Sequence, residues 1–382
     1  MKITLKNTPE QVELIKAMAS RNRSVAFEAQ TALAEFIGPV LAEVINQAPA
    51  LSNLFTTLQY NADDNPSIPL DLYHDISDED YVQVFSQSRA GGLPTSEVLP
   101  TSSELKIATY SLDSAVSFDR RYAAKSRMDV VAKTMTRVAQ EILIKQNTIS
   151  ANVVMKAVAN ATTNGVSHIE ESSAIKRFVL ADLNRMITRS KRIVSSFVGG
   201  TPDARSGRGI TDIICSPEIV EELRAIAYNP INTKGSPAEA SKVVRTADFI
   251  AQEAFSAAGA PEFYGINVIE LNEMGGTGLG GTARQFNEIF VAEQSGNVTK
   301  SDGSAGDQAA AADDELVLGI DRSRESLVRP VAVDADNGGE FNLIADDQYS
   351  IRQNKIGYFG SLEEGRVVLD NRALIGTLVM GA

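Results

Sequence analysis

From Thr8 to about Asn53 the apolar positions recur at helical spacing: Val12, Ile15, Met18 and Ala19, then Phe27, Leu33, Phe36 and Ile37, then Leu41, Val44 and Ile45. Pro39 and Pro49 punctuate this stretch, which predicts two or three short helices that dock on other elements as an N-terminal arm. Residues 61–105 change character, with Pro66, Pro69, Pro94 and Pro100, the Gly91-Gly92 pair and short alternating runs such as Tyr81 to Phe85. A loop of that length with no core of its own is uncommon inside a compact domain unless it has a function. It is therefore read as a long two-stranded excursion toward a neighbour, with Leu105 to Phe118 as its returning strand.

Ser126 and Asp129 form a helix-start pattern, followed at helical spacing by Met128, Val131, Met135, Val138, Ile142, Ile149 and Val153. A helix running to about Ala161 would be roughly 50 Å long at ~1.5 Å per residue, a spine rather than a filler. A second helix is expected over about Ile175 to Val194. From residue 210 the elements alternate: strand Ile210 to Cys215, then a helix opened by Ser216 as cap and Pro217 in the first turn. Strands are expected at Ile266 to Leu271, Glu288 to Val291 and Leu316 to Ile320, separated by a Gly-rich loop at 275–281 and an Ala-rich polar loop at 294–314. The stretch Phe341 to Met380 reads as consecutive strands with turns at Gly360 and at Glu363-Glu364-Gly365, parts of which return to the spine. The fold class is α+β.

Composition narrows the picture. Hydrophobic residues make up 43% and charged residues 22%, the balance of a globular chain long enough for more than one core. No run approaches the ~20 apolar residues of a membrane span, and the first residues lack a signal-peptide pattern. Cys215 is the only cysteine, so no intrachain disulfide forms and a reducing cytoplasm suits the chain. The net charge of -13 has the wrong sign for affinity built on neutralising phosphates. A weakly repulsive inner wall around packed DNA is compatible with it.

The charge is unevenly placed. Residues 61–105 hold nine acids (Asp63, Asp64, Asp71, Asp75, Asp78, Glu79, Asp80, Glu97, Glu104) against Arg89 alone, a balance of -8. Residues 120–145 hold Arg120, Arg121, Lys125, Arg127, Lys133, Arg137 and Lys145 against Asp129 and Glu141, a balance of +5. Each run could be a solvated face. The sharper expectation is that the acidic arm of one subunit (Asp71, Asp75, Asp78, Glu79, Asp80, Glu97) lies across the basic spine of the next (Arg120, Arg121, Lys125, Arg127, Lys133, Arg137), charge setting register more than strength.

Catalytic parts are sparse. Gly276, Gly278 and Gly281 match the dinucleotide spacing, but a helix must follow and Phe286 to Val291 reads as a strand, so the glycines are read as a flexible loop. His74 and His168 are read as polar surface residues, unable with one cysteine to build a zinc site. Asp78-Glu79-Asp80 and the set Asp334, Asp336 and Glu340 lack EF-hand spacing and are read as solvated turns. The expectation is a structural protein, not an enzyme, with no cofactor and no metal.

This order of parts resembles the major capsid proteins of tailed bacteriophages with the Hong Kong 97 type fold. The resemblance runs over nearly the whole chain and is carried by FIGPVLAEVINQAPALSNLF at 36–55, DRRYAAKSRMDVVAKTMTRVAQEIL at 119–143, ITDIICSPEIVEELRAI at 210–226 and the terminal YSIRQNKIGYFGSLEEGRVVLDNRALIGTLV. It implies an N-terminal arm (1–60), an extended E-loop hairpin and returning strand (61–118), a peripheral domain with the spine helix (119–209 and 326–382) and an axial domain (210–325). It also implies self-assembly into hexamers and pentamers of an icosahedral shell, in the virion and, during assembly, the host cytoplasm. Portal, scaffolding and decoration proteins would be partners, with DNA enclosed without sequence-specific binding and no membrane contact. Two departures matter. No lysine lies between Lys16 and Lys106, against the E-loop lysine through which some members crosslink. The residues before the E-loop are too few for the scaffold segment that other members carry, so a separate scaffolding protein is expected. Two alternatives stay open: an encapsulin-type compartment, marked by a neighbouring cargo gene, and an α/β enzyme that binds a ligand near Gly276 to Gly281.

Overall fold

In chain order the elements are α1 (Pro9–Met18), α2 (Arg23–Asn46), β1 (Thr56–Asn61), β2 (Ser67–Pro69), β3 (Glu104–Lys106), β4 (Thr109–Asp119), α3 (Arg120–Ala124) and α4 (Met128–Ala159). There follow β5 (Thr162–Thr163), β6 (Val166–Ser167), β7 (Ile169–Glu171), α5 (Leu180–Ile193), β8 (Asp212–Cys215), α6 (Pro217–Tyr228), β9 (Glu262–Phe263), β10 (Ile266–Glu270) and α7 (Gln285–Glu293). The chain finishes with β11 (Glu315–Ile320), β12 (Leu327–Val333), β13 (Asn342–Asp346), β14 (Lys355–Gly365), β15 (Val367–Val368) and β16 (Leu374–Val379). This is a computed structural model, and it describes residues 8–46, 51–61, 66–69, 104–125, 128–163, 166–193, 209–228, 262–263, 265–276, 284–294, 298–300, 304, 309–333, 340–346 and 354–381. The described residues form two units, one from within 8–68, 105–150 and 328–367, the other from within 69–104, 151–327 and 368–381.

In the first unit α1 opens at Thr8, whose side chain accepts the Gln11 N–H (3.4 Å), with Pro9 in the first turn. Helix α2 buries Leu33, Ile37, Leu41 and Ile45 along one stripe. It runs straight through Pro39, against the expectation of a break there. A proline inside a helix costs ~3 kcal/mol, but Pro39 and Glu35 are exposed, so the freed carbonyl meets water. Burying each of the three aliphatics at 33, 37 and 41 returns ~1.5–3 kcal/mol, which outweighs it. By length and composition alone α2 could also cross a membrane, which corrects the reading that no stretch could. Its buried stripe belongs instead to the core of this unit.

Strand β14 organises the sheet. Antiparallel β4 lines one edge from Asp119 opposite Lys355 to Thr109 opposite Gly365. On the other edge β13 pairs from Asn342 opposite Ser361 to Asp346 opposite Gly357, and β12 meets it at Val331 opposite Glu364. Parallel β1 extends the sheet beyond β12. The turns expected at Gly360 and at Glu363-Glu364-Gly365 are thus corrected to continuous strand. Gly360 serves close approach rather than a turn: a Cβ there would stand 2.4 Å from Phe341 Cζ. Ile356, Tyr358 and Leu362 alternate into the core with Val131, Met135, Val138 and Ile142 of α4, so the C-terminal strands return to the expected spine. Strands β2 and β3 pair with each other, and Ile107 N–H donates to Pro66 O (3.1 Å), so the ends of the expected excursion meet. The excursion's residues 70–103 lie outside the described residues.

The second unit has a mixed six-stranded sheet in the order β7-β16-β11-β8-β10-β9. Ile213, Cys215, Val268, Val317 and Ile375 cover one face against Phe178, Leu183 and Met186 around α5 and Ile219, Val220 and Leu223 of α6. Ser216 caps α6 as expected, its Oγ accepting the Ile219 N–H (3.2 Å). Helix α5 starts five residues later than the pattern predicts, because buried Asp182 takes Val179 N–H (3.1 Å) and Ser173 N–H (2.9 Å) and fixes the start. Ile175, 70% exposed, is left in the preceding turn. The strand expected at Glu288 to Val291 is helix α7, which buries Phe286, Asn287 and Phe290. Phe286 and Phe290 share a side both at the strand period and at the helical i, i+4 spacing, so the short run was ambiguous.

Candidate functional site

The charged ridge expected on the spine is built from two helices of the first unit. Asp119 caps α3, accepting the Arg121 N–H (2.9 Å), and also pairs with the Arg121 guanidinium (2.8 Å). Those bonds hold the Asp119 carboxyl below its ordinary range. Arg121 is thereby engaged within its own chain. Arg120 is half-buried, with its N–H on Asn354 O (3.2 Å), and Lys125 is exposed at the end of α3.

On α4 the buried stripe sends the opposite face to water. That face brings Lys133, Arg137, Ile144 and Lys145 together over about three turns, with Gln140 and Glu141 beside them. Ile144 is 60% exposed in the middle of this charge. Among the described residues no acid pairs with Lys133, Arg137 or Lys145. Arg127 and all of the acidic arm (Asp71, Asp75, Asp78, Glu79, Asp80, Glu97) lie outside the described residues.

A node that the sequence reading missed lies inside the same unit. Glu364 accepts from Arg329 Nε (2.6 Å), Arg366 Nη2 (2.9 Å), Tyr110 OH (2.8 Å) and Gln146 Nε2 (3.0 Å), tying β14, β12, β4 and α4 together. Burial alone would raise the Glu364 carboxyl, but the Arg366 and Arg329 guanidiniums overcome it and hold the group below its ordinary range. Burial and the Glu364 charge push the Tyr110 hydroxyl up. Arg366 also reaches Ser150 Oγ (2.5 Å) and stands 5.2 Å from the centre of the Phe55 ring. The available signal was the alternation Ile356, Tyr358, Leu362, which extends to Glu364 on the core side.

In the second unit Arg185 bridges Glu170 (3.1 Å) and Asp182 (2.6 Å), and Arg189 pairs with Glu170. His168 is 1% exposed, which corrects its reading as a surface residue. Its Nδ1 bonds the carbonyls of Leu374 (3.0 Å) and Asn371 (3.2 Å), and its Nε2 meets Thr163 Oγ1 (2.7 Å). Burial, more than these bonds, sets its proton affinity and lowers it. His74 lies outside the described residues. Cys215 is a buried thiol pushed up to about 12 by burial, with Glu315 and Glu270 adding to it, so it is inert as a nucleophile.

Of the glycine-rich loop, Gly275 and Gly276 are described, and Gly278 and Gly281 lie outside the described residues. A helix does follow it, but Phe286 N–H donates to Glu273 O (3.1 Å) and Arg284 N–H to Gly275 O (3.0 Å). A Cβ at Gly276 would stand 2.6 Å from Asp313 O, so a carbonyl oxygen sits where a phosphate would have to approach. Among the described residues no group of three or more His, Cys, Asp or Glu side chains is placed to hold a metal ion.

No protein-family model and no curated protein matches the sequence. Among solved structures the chain is similar to the capsid of an empty GTA particle, at 11% identity over 88% of this chain and 91% of that one, with a TM-score of 0.47. It is similar to the holo-SrpI encapsulin complex from Synechococcus elongatus PCC 7942, at 11% identity over 87% of each chain, with a TM-score of 0.45. It is also similar to the capsid of Cyanophage P-SCSP1u, at 12% identity over 86% of this chain and 87% of that one, with a TM-score of 0.43. Identities and TM-scores this low leave the functional reading to the chain's own geometry.

Proposed function

We propose that this chain is a major capsid protein, a subunit that self-assembles into hexamers and pentamers of an icosahedral shell enclosing the double-stranded DNA of a tailed phage. The observation that carries the reading is one of charge. Lys133, Arg137 and Lys145 stand in a row on α4 with no acid partner among the described residues, while the same chain carries a balance of -8 over residues 61–105. An exposed basic face and an acidic excursion on identical chains are complementary between copies, and a contact of that heterologous kind gives rings when the rotation from copy to copy closes. The sequence resemblance to Hong Kong 97 type capsid proteins supports the same reading, as does the meeting of the excursion's two ends at Pro66 and Ile107.

On this reading residues 1–60 are the N-terminal arm, 61–118 the E-loop and returning strand, 119–209 with 326–382 the peripheral domain, and 210–325 the axial domain. The partners are further copies of the chain, with portal, scaffolding and decoration proteins, in the virion and during assembly in the host cytoplasm. The role is structural rather than enzymatic. Sedimentation velocity with negative-stain microscopy tests it, with and without molar salt. Capsomers, tubes or closed shells are the expected result, and a persistent monomer at high concentration, also in the presence of scaffold, would overturn it. Shells that purify with protein cargo and without DNA would move the reading to an encapsulin-type compartment.

A further inference from the structure

Strand β4 pairs with β14 without a break from Thr109 opposite Gly365 to Asp119 opposite Lys355, and among the described residues no strand lies on its other side. The direction of its backbone groups is fixed at both ends. Arg120 N–H donates to Asn354 O (3.2 Å) at the foot of β14, so the even-numbered residues of β4 bond to β14. Ile107 N–H points the other way, to Pro66 O (3.1 Å). Thr109, Ser111, Asp113, Ala115, Ser117 and Asp119 therefore aim their N–H and C=O groups out of the sheet.

Proteins guard such an edge with lysine, proline, a bulge or shortness. The sheet of the second unit uses shortness, its edge strands β7 and β9 having three and two residues. Strand β4 has eleven residues, none of them lysine or proline, in a register without a bulge. Its charges are Asp113, which accepts from Ser111 Oγ (2.7 Å), and Asp119, which Arg121 holds at 2.8 Å. On the core side Leu112 and Val116 are half-buried at the rim of the core.

We propose that β4 pairs antiparallel with β4 of a second copy, about a twofold axis at Ser114, joining two sheets into one. The side chains select this register. With Ser114 opposite itself, Asp113 meets the second copy's Ala115, Ser111 meets its Ser117 and Thr109 meets its Asp119, all as hydrogen-bonded pairs in which no acid faces an acid. On the core side Leu112 of each copy covers Val116 of the other. Sliding one way sets Asp113 against Asp113, like charges directly opposed, and sliding the other way sets Val116 against Ser114. An isologous contact closes at two copies. Its bonds join uncharged backbone groups, so it persists in molar salt, and it does not depend on the shell reading.

The test uses the full chain in molar salt, which screens the charge contact of the proposed shell. Under a mild oxidant Ser114→Cys should give a disulfide-linked dimer, because the axis sets position 114 beside itself at the ~4.5 Å Cα spacing of a non-hydrogen-bonded pair. Wild type is the control, its one thiol at Cys215 being buried. Ser111→Cys and Ser117→Cys chains should join through a short thiol crosslinker when mixed and not singly, and this pair decides if Ser114→Cys does not fold. Ala115→Pro removes an outward N–H while leaving the bonds to β14, so it should weaken the dimer about tenfold or more in sedimentation equilibrium, with Ala115→Lys as the substitute if it does not fold. Absence of these crosslinks would overturn the proposal, even in shells. A monomer whose outward β4 amides resist hydrogen exchange at every concentration would overturn it equally, by placing another segment of the same chain on the edge. Crosslinked dimers that form no shell would support the pairing and count against the shell alone.

Discussion

Arg366 and Glu364, one residue apart on either side of Gly365, point to the same interior side of the first unit and join through Nη2 and Oε1 at 2.9 Å. With Arg329 on the other carboxylate oxygen at 2.6 Å, one buried anion serves two buried cations. Glu364→Gln removes the charge that the two guanidiniums share, and removing one partner of a buried pair costs ~3–5 kcal/mol. The expected result is a large fall in the urea midpoint of the first unit's transition. An unfolding free energy within about 0.5 kcal/mol of wild type would show the node to be dispensable.

At Gly360 the backbone lies against the Phe341 ring, 2.4 Å from where a Cβ would be. Gly360→Ala should destabilise by ~1–3 kcal/mol, as overpacking of a filled core does. In a double-mutant cycle Phe341→Leu should recover part of that loss. Additive effects of the two changes would contradict the contact.

His168 makes the second unit sensitive to acid. Burial lowers its proton affinity below the ordinary 6.5, so the unfolded chain binds the proton first as pH falls. Its stability contribution is present above pH 6.5 and is lost as pH falls through the depressed folded value. His168→Gln should flatten the acid limb of the thermal denaturation curve. An acid limb unchanged in that variant would assign the effect elsewhere.

The basic ridge of α4 separates folding from assembly. Lys133 and Arg137 are exposed, so the double change Lys133→Glu and Arg137→Glu should shift the chain's own stability by no more than about 0.5 kcal/mol. Assembly followed by light scattering should nonetheless slow and lose its dependence on salt. Charge reversal at Asp78, Glu79 and Asp80 in the same chain should restore it. Wild-type kinetics in the doubly reversed ridge would remove the arm-to-spine contact from the proposed function.

Much of the architecture was legible in local order. The stripe Val131, Met135, Val138 and Ile142 forces a long helix wherever it is placed, because no other backbone brings those four to one side. Ser216 followed by Pro217 specifies a helix start through groups within three residues of each other. The opposite charges of residues 61–105 and 120–145 are likewise properties of the chain alone.

Other features depend on what arrives from far along the chain. Glu363-Glu364-Gly365 has the composition of a turn and becomes strand because Arg329, Gln146 and Tyr110 converge on the Glu364 carboxylate. Pro39 stays inside α2 because the stripe on the helix's other side finds a core, and His168 goes inward because the carbonyls of Leu374 and Asn371 receive its ring. The sequence by itself determined the periodic elements and the charge asymmetry, whose causes lie within a few residues. Only the tertiary structure decided where buried polar groups find their partners, since a buried charge is tolerable only once distant groups have met around it.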